Sequence, residues 1–294
     1  GTYTWSITSG NLPPNLNLDS STGEISGDIA AGTASDYPLQ FEVTDGVQTV
    51  TADLTLTVHA PLQITTTTLP VGYEGQTGYS ATLTATGGTG SYTWSIVSGS
   101  LPPNLNLDSS TGEISGDIAS TASSSSPYDF TVEVTDGQQT VQANLSITVY
   151  AQLQITTTTL PVGYEGQTGY SATLTATGGT GSYTWSDVNN TLQTYGLTLD
   201  PSTGEITGPP TQATPAGGVT VTIEVTDGQQ TVRADLSITV YAQLQITTTS
   251  LSDACENIAY SCAVRASGGD AAKYNWSING QPSWLSINSS TGEL

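Results

Sequence analysis

The residues able to do chemistry in this chain are few, and most come in repeated sets. Carboxylates return at matching places: Glu74 and Glu165, Asp108 and Asp200, Glu133 and Glu224, Asp136 and Asp227. Asp19, Glu42 and Asp45 are earlier copies of the last three pairs. Carboxylate oxygens gathered from separate loops suit calcium, which makes Glu74, Asp108, Glu133, Asp136, Glu165, Asp200, Glu224 and Asp227 candidate ligands. The same residue types also build turns, Asp136 ahead of Gly137 in a hairpin and Asp108 ahead of an STGE turn, so two readings stand. Paired carboxylates can hydrolyse glycosides. A pair copied into every repeat instead marks scaffold, and no enzyme activity is expected. His59 is the only histidine, so no Ser–His or Cys–His pair can form elsewhere in the chain. Cys255 and Cys262 are the only cysteines. In an exported protein they are expected to close a short-range disulfide. With no histidine near them they do not complete a metal shell.

What positions these residues is a repeat. Leu62–Ser95 recurs without a change at Leu153–Ser186, which sets a period of 91 residues. YTWS or YNWS returns at Tyr3, Tyr92, Tyr183 and Tyr274, and VTDG at Val43, Val134 and Val225. A fixed period of this size means an array of small modules. The expected division is 1–59, 60–150, 151–241 and 242–294, the first copy lacking opening strands and the last lacking closing ones.

Composition narrows the partners. The 294 residues hold 3 Lys+Arg against 25 Asp+Glu, a net charge of -22, and the first basic residue is Arg233. Nucleic acid needs clustered Lys and Arg and is not an expected partner. Anionic membrane surfaces are disfavoured by the same repulsion, and no apolar run approaches the roughly 20 residues of a spanning helix. Abundant Gly and Thr, with two cysteines and no methionine, fit an exported all-β chain.

One module reads as about seven strands. Tyr79, Ala81, Leu83 and Ala85 alternate with polar residues, as do Tyr92, Trp94 and Ile96 after the GGTG turn. Leu105 and Leu107 follow two prolines, and Ile114 sits on a short strand. Phe130, Val132 and Val134 then form a hairpin with Val141–Val149 across Asp136-Gly137. This is the profile of a Greek-key β-sandwich of immunoglobulin type, with Trp94, Trp185 and Trp276 in the cores. Trp284 reads either as core or as a surface platform.

YTWSIVSGSLPPNLNLDSSTGEISG, followed by FTVEVTDG and LSITV, resembles the bacterial putative-Ig repeat family. QPSWLSINSSTGEL in the last copy is similar to dystroglycan-type cadherin-like domains. The resemblance implies an extracellular or cell-surface role in microbial surface proteins, adhesins and secreted multidomain proteins, and no single activity. It also brings cadherin junctions to mind for calcium, yet VHAPLQ and VYAQLQ lack the acidic linker that cadherins use.

The junctions are short. His59, Tyr150 and Tyr241 occupy one equivalent position and are expected to pack between modules, giving a semi-rigid extended rod. Sugar acceptors are Asn144, Asn189, Asn275 and Asn288 in Asn-x-Ser/Thr, and the runs Thr65, Thr66, Thr67, Thr68 and Thr156, Thr157, Thr158, Thr159. Modules differ mostly in two loops, Asp28–Asp36 with Ile118–Pro127 and Pro209–Gly218, and Val97–Asn104 with Asp187–Tyr195. The expectation is a stalk or fibre segment whose partners are neighbouring modules or like subunits, including by strand exchange at the partial ends. An adhesin or sugar-binding array using those loops against cell-surface glycans or proteins, and spacer modules of a secreted hydrolase, are the alternatives.

Overall fold

A computed structural model describes residues 2–294, which divide into two compact units, Gly1–Tyr150 and Ala151–Leu294. The chain is almost entirely β-structure.

In the first unit, residues 60–150 form a complete two-sheet sandwich. One sheet is Thr93–Gly99, Tyr128–Thr135 and Thr140–Ile147 in that order, all antiparallel. The other is Leu105–Leu107, Glu113–Gly116 and Tyr79–Thr82. The alternation seen in the sequence is what fills the space between them: Tyr79 and Ala81 point inward while Ser80 and Thr82 are exposed. Trp94, Ile114, Val132, Val134 and Ile147 meet there, with Ile114 fully buried. Truncating such a residue typically costs about 2–5 kcal/mol, the lost transfer energy plus the cavity left behind.

The opening strand is split. Gln63–Ile64 pairs antiparallel with Ala85–Thr86 on one sheet, and Gly72–Tyr73 pairs parallel with Val149–Tyr150 on the other. Between them Thr65–Val71 crosses from sheet to sheet without a ladder of its own. Pro70, which has no N–H for a ladder, lies in the crossing.

Residues 2–59 hold only the later strands, Thr4–Ser9, Ser35–Thr44 and Thr49–Val58 in one sheet and the Asn17–Leu18/Ile25–Ser26 pair. Leu54 is 58% exposed there, whereas Leu145, its equivalent in the complete repeat, is 6% exposed.

The second unit repeats the sandwich in residues 151–241, around Trp185, Ile206, Val221, Ile223 and Ile238. One departure was not foreseen. Asp187 stands where the preceding repeat has Ile96, and its Oδ2 accepts from Leu192 N at 2.7 Å. The strand ends at Asp187, and a short helix, Thr191–Thr194, buries Leu192 in the core. Residues 242–294 are sparsely paired, through Gln245–Ile246 with Ala266–Ser267 and a bridge of Ala263 to Glu293.

Candidate functional site

The joint between repeats is held on both sides by backbone hydrogen bonds. Within the second unit, Tyr241 O accepts from Glu165 N at 2.8 Å, a bond inside the preceding repeat. The next carbonyl, Ala242 O, accepts from Gly269 N of the following segment at 2.7 Å. Peptide units are planar, so only φ and ψ of Ala242 lie between a plane fixed to one repeat and a plane fixed to the next. The same bonds recur at Tyr150, to Glu74 N inside the first unit, and at Ala151, to Gly179 N inside the second. In the first unit Ala60 O accepts from Gly88 N, and Gln139 Oε1 accepts from Leu62 N at 3.0 Å.

Tyr150 and Tyr241 were expected to pack between modules, and both have ring partners. Each stacks on a tyrosine of its own repeat, Tyr150 on Tyr73 with centroids 6.0 Å apart and Tyr241 on Tyr164 at 5.7 Å. The parallel pairing Tyr150–Tyr73 and Tyr241–Tyr164 sets these rings side by side. Lys273 of the following segment is bonded to Asp270 at 3.3 Å, and Asp270 first, then Tyr164 and Tyr241, hold its ammonium above the ordinary lysine value. His59 is exposed and lines a space of about 720 Å³ between the Ile29–Ala34 loop and Thr89, Gln138 and Gln139 of the next repeat.

The carboxylates expected as calcium ligands are not gathered into a site. Among the described residues no group of three or more His, Cys, Asp or Glu is arranged to hold a metal ion. Seven of the eight are held locally, Glu165 being the exception. Asp108 Oδ1 accepts from Ser110 N, Ser110 Oγ and Thr111 N, and these bonds, the Ser110 hydroxyl foremost, hold its carboxyl at about 2. Asp200 repeats the arrangement with Ser202 and Thr203. Asp136 is 9% exposed; its Oδ1 accepts from Gln139 N and Gln138 N across the hairpin, and its Oδ2 from Thr89 N. Those amides keep it below the usual carboxylate range. A Cβ on Gly88 would sit 2.1 Å from Asp136 Oδ2, at φ +61°, so this corner of the GGTG turn accepts only glycine. In Asp227 burial pushes the carboxyl up, and the Gln230, Gln229 and Thr180 amides outweigh it. Glu74 Oε1 accepts from Ser123 N and Oγ, Glu133 from Gln142, and Glu224 pairs with Arg233 at 2.7 Å.

The cysteines also depart from expectation. Both are free thiols, Cys255 exposed and Cys262 half-buried, and the short-range disulfide is not formed. The loop is closed instead by Tyr260, whose hydroxyl donates to Ser252 O at 3.1 Å. The Cys262 thiol is engaged by the Ser252 backbone first and by the Tyr260 and Ser252 hydroxyls, which hold it below the ordinary thiol value.

Trp94 and Trp185 are core residues, and Trp276 is half-buried with its ring edge-on to Tyr274. Trp284 is 70% exposed. It occupies the place of Asn104, itself exposed in the complete repeat, so Trp284 is at the surface because of its position in the fold.

Of the variable loops, Ile118–Pro127 and Pro209–Gly218 are anchored to their own repeats. Ile118 and Ala122 are buried, Tyr128 Oη donates to Ala122 O, and Val149 N donates to Ser126 Oγ. In the next repeat Thr214 N donates to Val240 O. Ile118–Pro127 and Pro209–Gly218 therefore lie beside the last strand of their own repeat. Sequence difference alone carried no signal of this.

Asn144, Asn189, Asn275 and Asn288 are all exposed, and of the threonine runs only Thr66 and Thr157 are half-buried. Asn288 Oδ1 is occupied by the turn that Asp108 forms elsewhere.

Fold and repetition define a protein of tandem immunoglobulin-like β-sandwiches. The Putative Ig domain family model matches residues 1–59, 60–150 and 152–241, and the chain belongs to that family. Among solved structures it is similar to Drosophila OTK extracellular domains 3-5 (16% identity, 81% of this chain, 85% of that chain, TM-score 0.44). It is also similar to the Protocadherin GammaB4 extracellular domain (17%, 99% of this chain, TM-score 0.35), of which it spans 55%. Mouse Cadherin-23 EC22-24 is a third (17%, 83% and 87%, TM-score 0.32). No curated protein matches the sequence. No helix among the described residues is long and apolar enough to cross a membrane.

Proposed function

We propose that the chain is a segment of an extracellular stalk or fibre on a microbial surface, with repeats 1–59, 60–150, 151–241 and 242–294 in series. The observation that carries this reading is the joint at Tyr241 and Ala242, where consecutive carbonyls belong to different repeats. A joint with no spare residue resists bending and turns repeat number into length. The role is mechanical, and the carboxylates shape turns. The partners are neighbouring repeats and like subunits.

Solution scattering on the whole chain tests it, beside a variant with Gly-Gly-Ser inserted between Tyr241 and Ala242. The parent is expected to give the profile of a stiff elongated particle and the insertion variant a shorter, broader distribution. A compact parent, or identical profiles for the two, overturns the reading.

A further inference from the structure

The structure sorts the threonines of the two TTTT runs by whether the acceptor oxygen is already in use. Thr65 Oγ1 and Thr66 Oγ1 lie 2.7 and 3.0 Å from Thr84 Oγ1, and Thr66 Oγ1 also accepts from Thr84 N. Thr156 and Thr157 make the same bonds with Thr175. These four hydroxyls fasten the opening strand to its neighbour. Thr67, Thr68, Thr158 and Thr159 are exposed, and among the described residues none of their hydroxyls makes a hydrogen bond within the chain.

Backbone and surroundings separate them further. Thr67 and Thr68 lie on the crossing segment, outside any ladder, two to three residues ahead of Pro70. An enzyme can bind such an extended stretch without unzipping a sheet. Beside it runs a groove of about 570 Å³, whose far side includes Asp129, Thr131 and Asn144. That volume is within the roughly 300–1,000 Å³ of small-ligand sites. Asn144 Oδ1 accepts from Thr131 Oγ1 at 2.9 Å, so a carboxylate, a hydroxyl and an amide face the two free threonines.

We propose that Thr67 and Thr68, and by repetition Thr158 and Thr159, are O-glycan attachment sites, with the groove seating the first sugar on Thr67 or Thr68. The proposal rests on the extracellular reading above. In the transfer, threonine Oγ1 attacks the anomeric carbon of a sugar esterified to a diphosphate. The carbon–oxygen bond to the diphosphate breaks, the diphosphate leaves with the electron pair, and the hydroxyl proton passes to the base of the cell's glycosyltransferase. A sugar there stands over the seam where the chain passes between sheets.

The test uses the chain isolated from its producing cells. Cleavage after glutamate frees residues 43–74 and 134–165, which separate the two runs. Fragmentation that keeps side-chain groups attached is expected to place sugar masses on Thr67 or Thr68 and on Thr158 or Thr159, with Thr65, Thr66, Thr156 and Thr157 bare. The double variant Thr67→Ala, Thr68→Ala is expected to clear the first peptide of sugar with the melting temperature of the unglycosylated chain unchanged. Unmodified peptides, or sugar on Asn144 in place of the threonines, overturn the proposal. Either result leaves the stalk reading to the scattering experiment, which needs no sugar.

Discussion

Asp108 and Asn288 hold the same turn with the same three hydrogen bonds, one as a carboxylate and the other as an amide. Asp108 Oδ1 receives Ser110 N, Ser110 Oγ and Thr111 N at 2.8, 2.6 and 2.9 Å. Asn288 Oδ1 receives Ser290 N, Ser290 Oγ and Thr291 N at 3.0, 2.7 and 3.1 Å. The chain thus carries its own uncharged control for a charged turn.

Acid should reveal the difference. The Asp108 carboxyl falls from 3.8 to about 2 in the folded chain, so its contribution is complete above 3.8 and is lost as pH falls toward 2. Asp108→Asn is expected to melt below the parent at neutral pH, with the gap narrowing between pH 4 and 2. A gap that stays constant in calorimetry across that range removes the carboxylate from the account.

Gly112 lies against the core tryptophan. A Cβ there would be 2.8 Å from Trp94 Nε1 and 3.0 Å from Leu83 O, at φ +74°. Gly112→Ala is expected to cost about 1–3 kcal/mol in denaturant unfolding. A change within error would mean that the STGE turn tolerates a side chain.

Arg233 is 62% exposed in its pair with Glu224, and the preceding repeat puts Gln142 against Glu133 in the same place. Arg233→Gln is therefore expected to cost less than about 1 kcal/mol. The same change tests the charge map: trypsin acting on unfolded chain should first cut after Arg265 instead of Arg233. A tryptic peptide ending before residue 233 would contradict it.

Because the carboxylates are held singly by backbone amides and neighbouring side chains, chelator is expected to leave the melting temperature unchanged. A drop on adding EDTA, reversed by calcium, would show a site formed from residues not brought together here.

Much of the sandwich was legible because a strand with one buried face must alternate: Tyr79, Ala81, Trp94 and Val132 were all readable from period two alone. The Asp136-Gly137 hairpin was readable because its turn chemistry is local. The helical turn at Thr191–Thr194 was not, since it depends on one Asp187 oxygen reaching Leu192 N. Nor were the roles of Tyr150 and Tyr241, whose stacking follows from parallel pairing with residues 77 positions away. The candidate carboxylates could be listed from sequence, but their destination depended on which amide each one faced.

The joint at Ala242 has a bearing on how such a chain changes over generations. Leu62–Ser95 and Leu153–Ser186 are identical, so a genetic crossover anywhere within them removes or adds 91 residues and nothing else. The product keeps a whole sandwich, and the carbonyl pair at its boundary still finds one amide behind and one ahead. Copy number can then drift in whole steps, and reach can be reset without any new fold being invented.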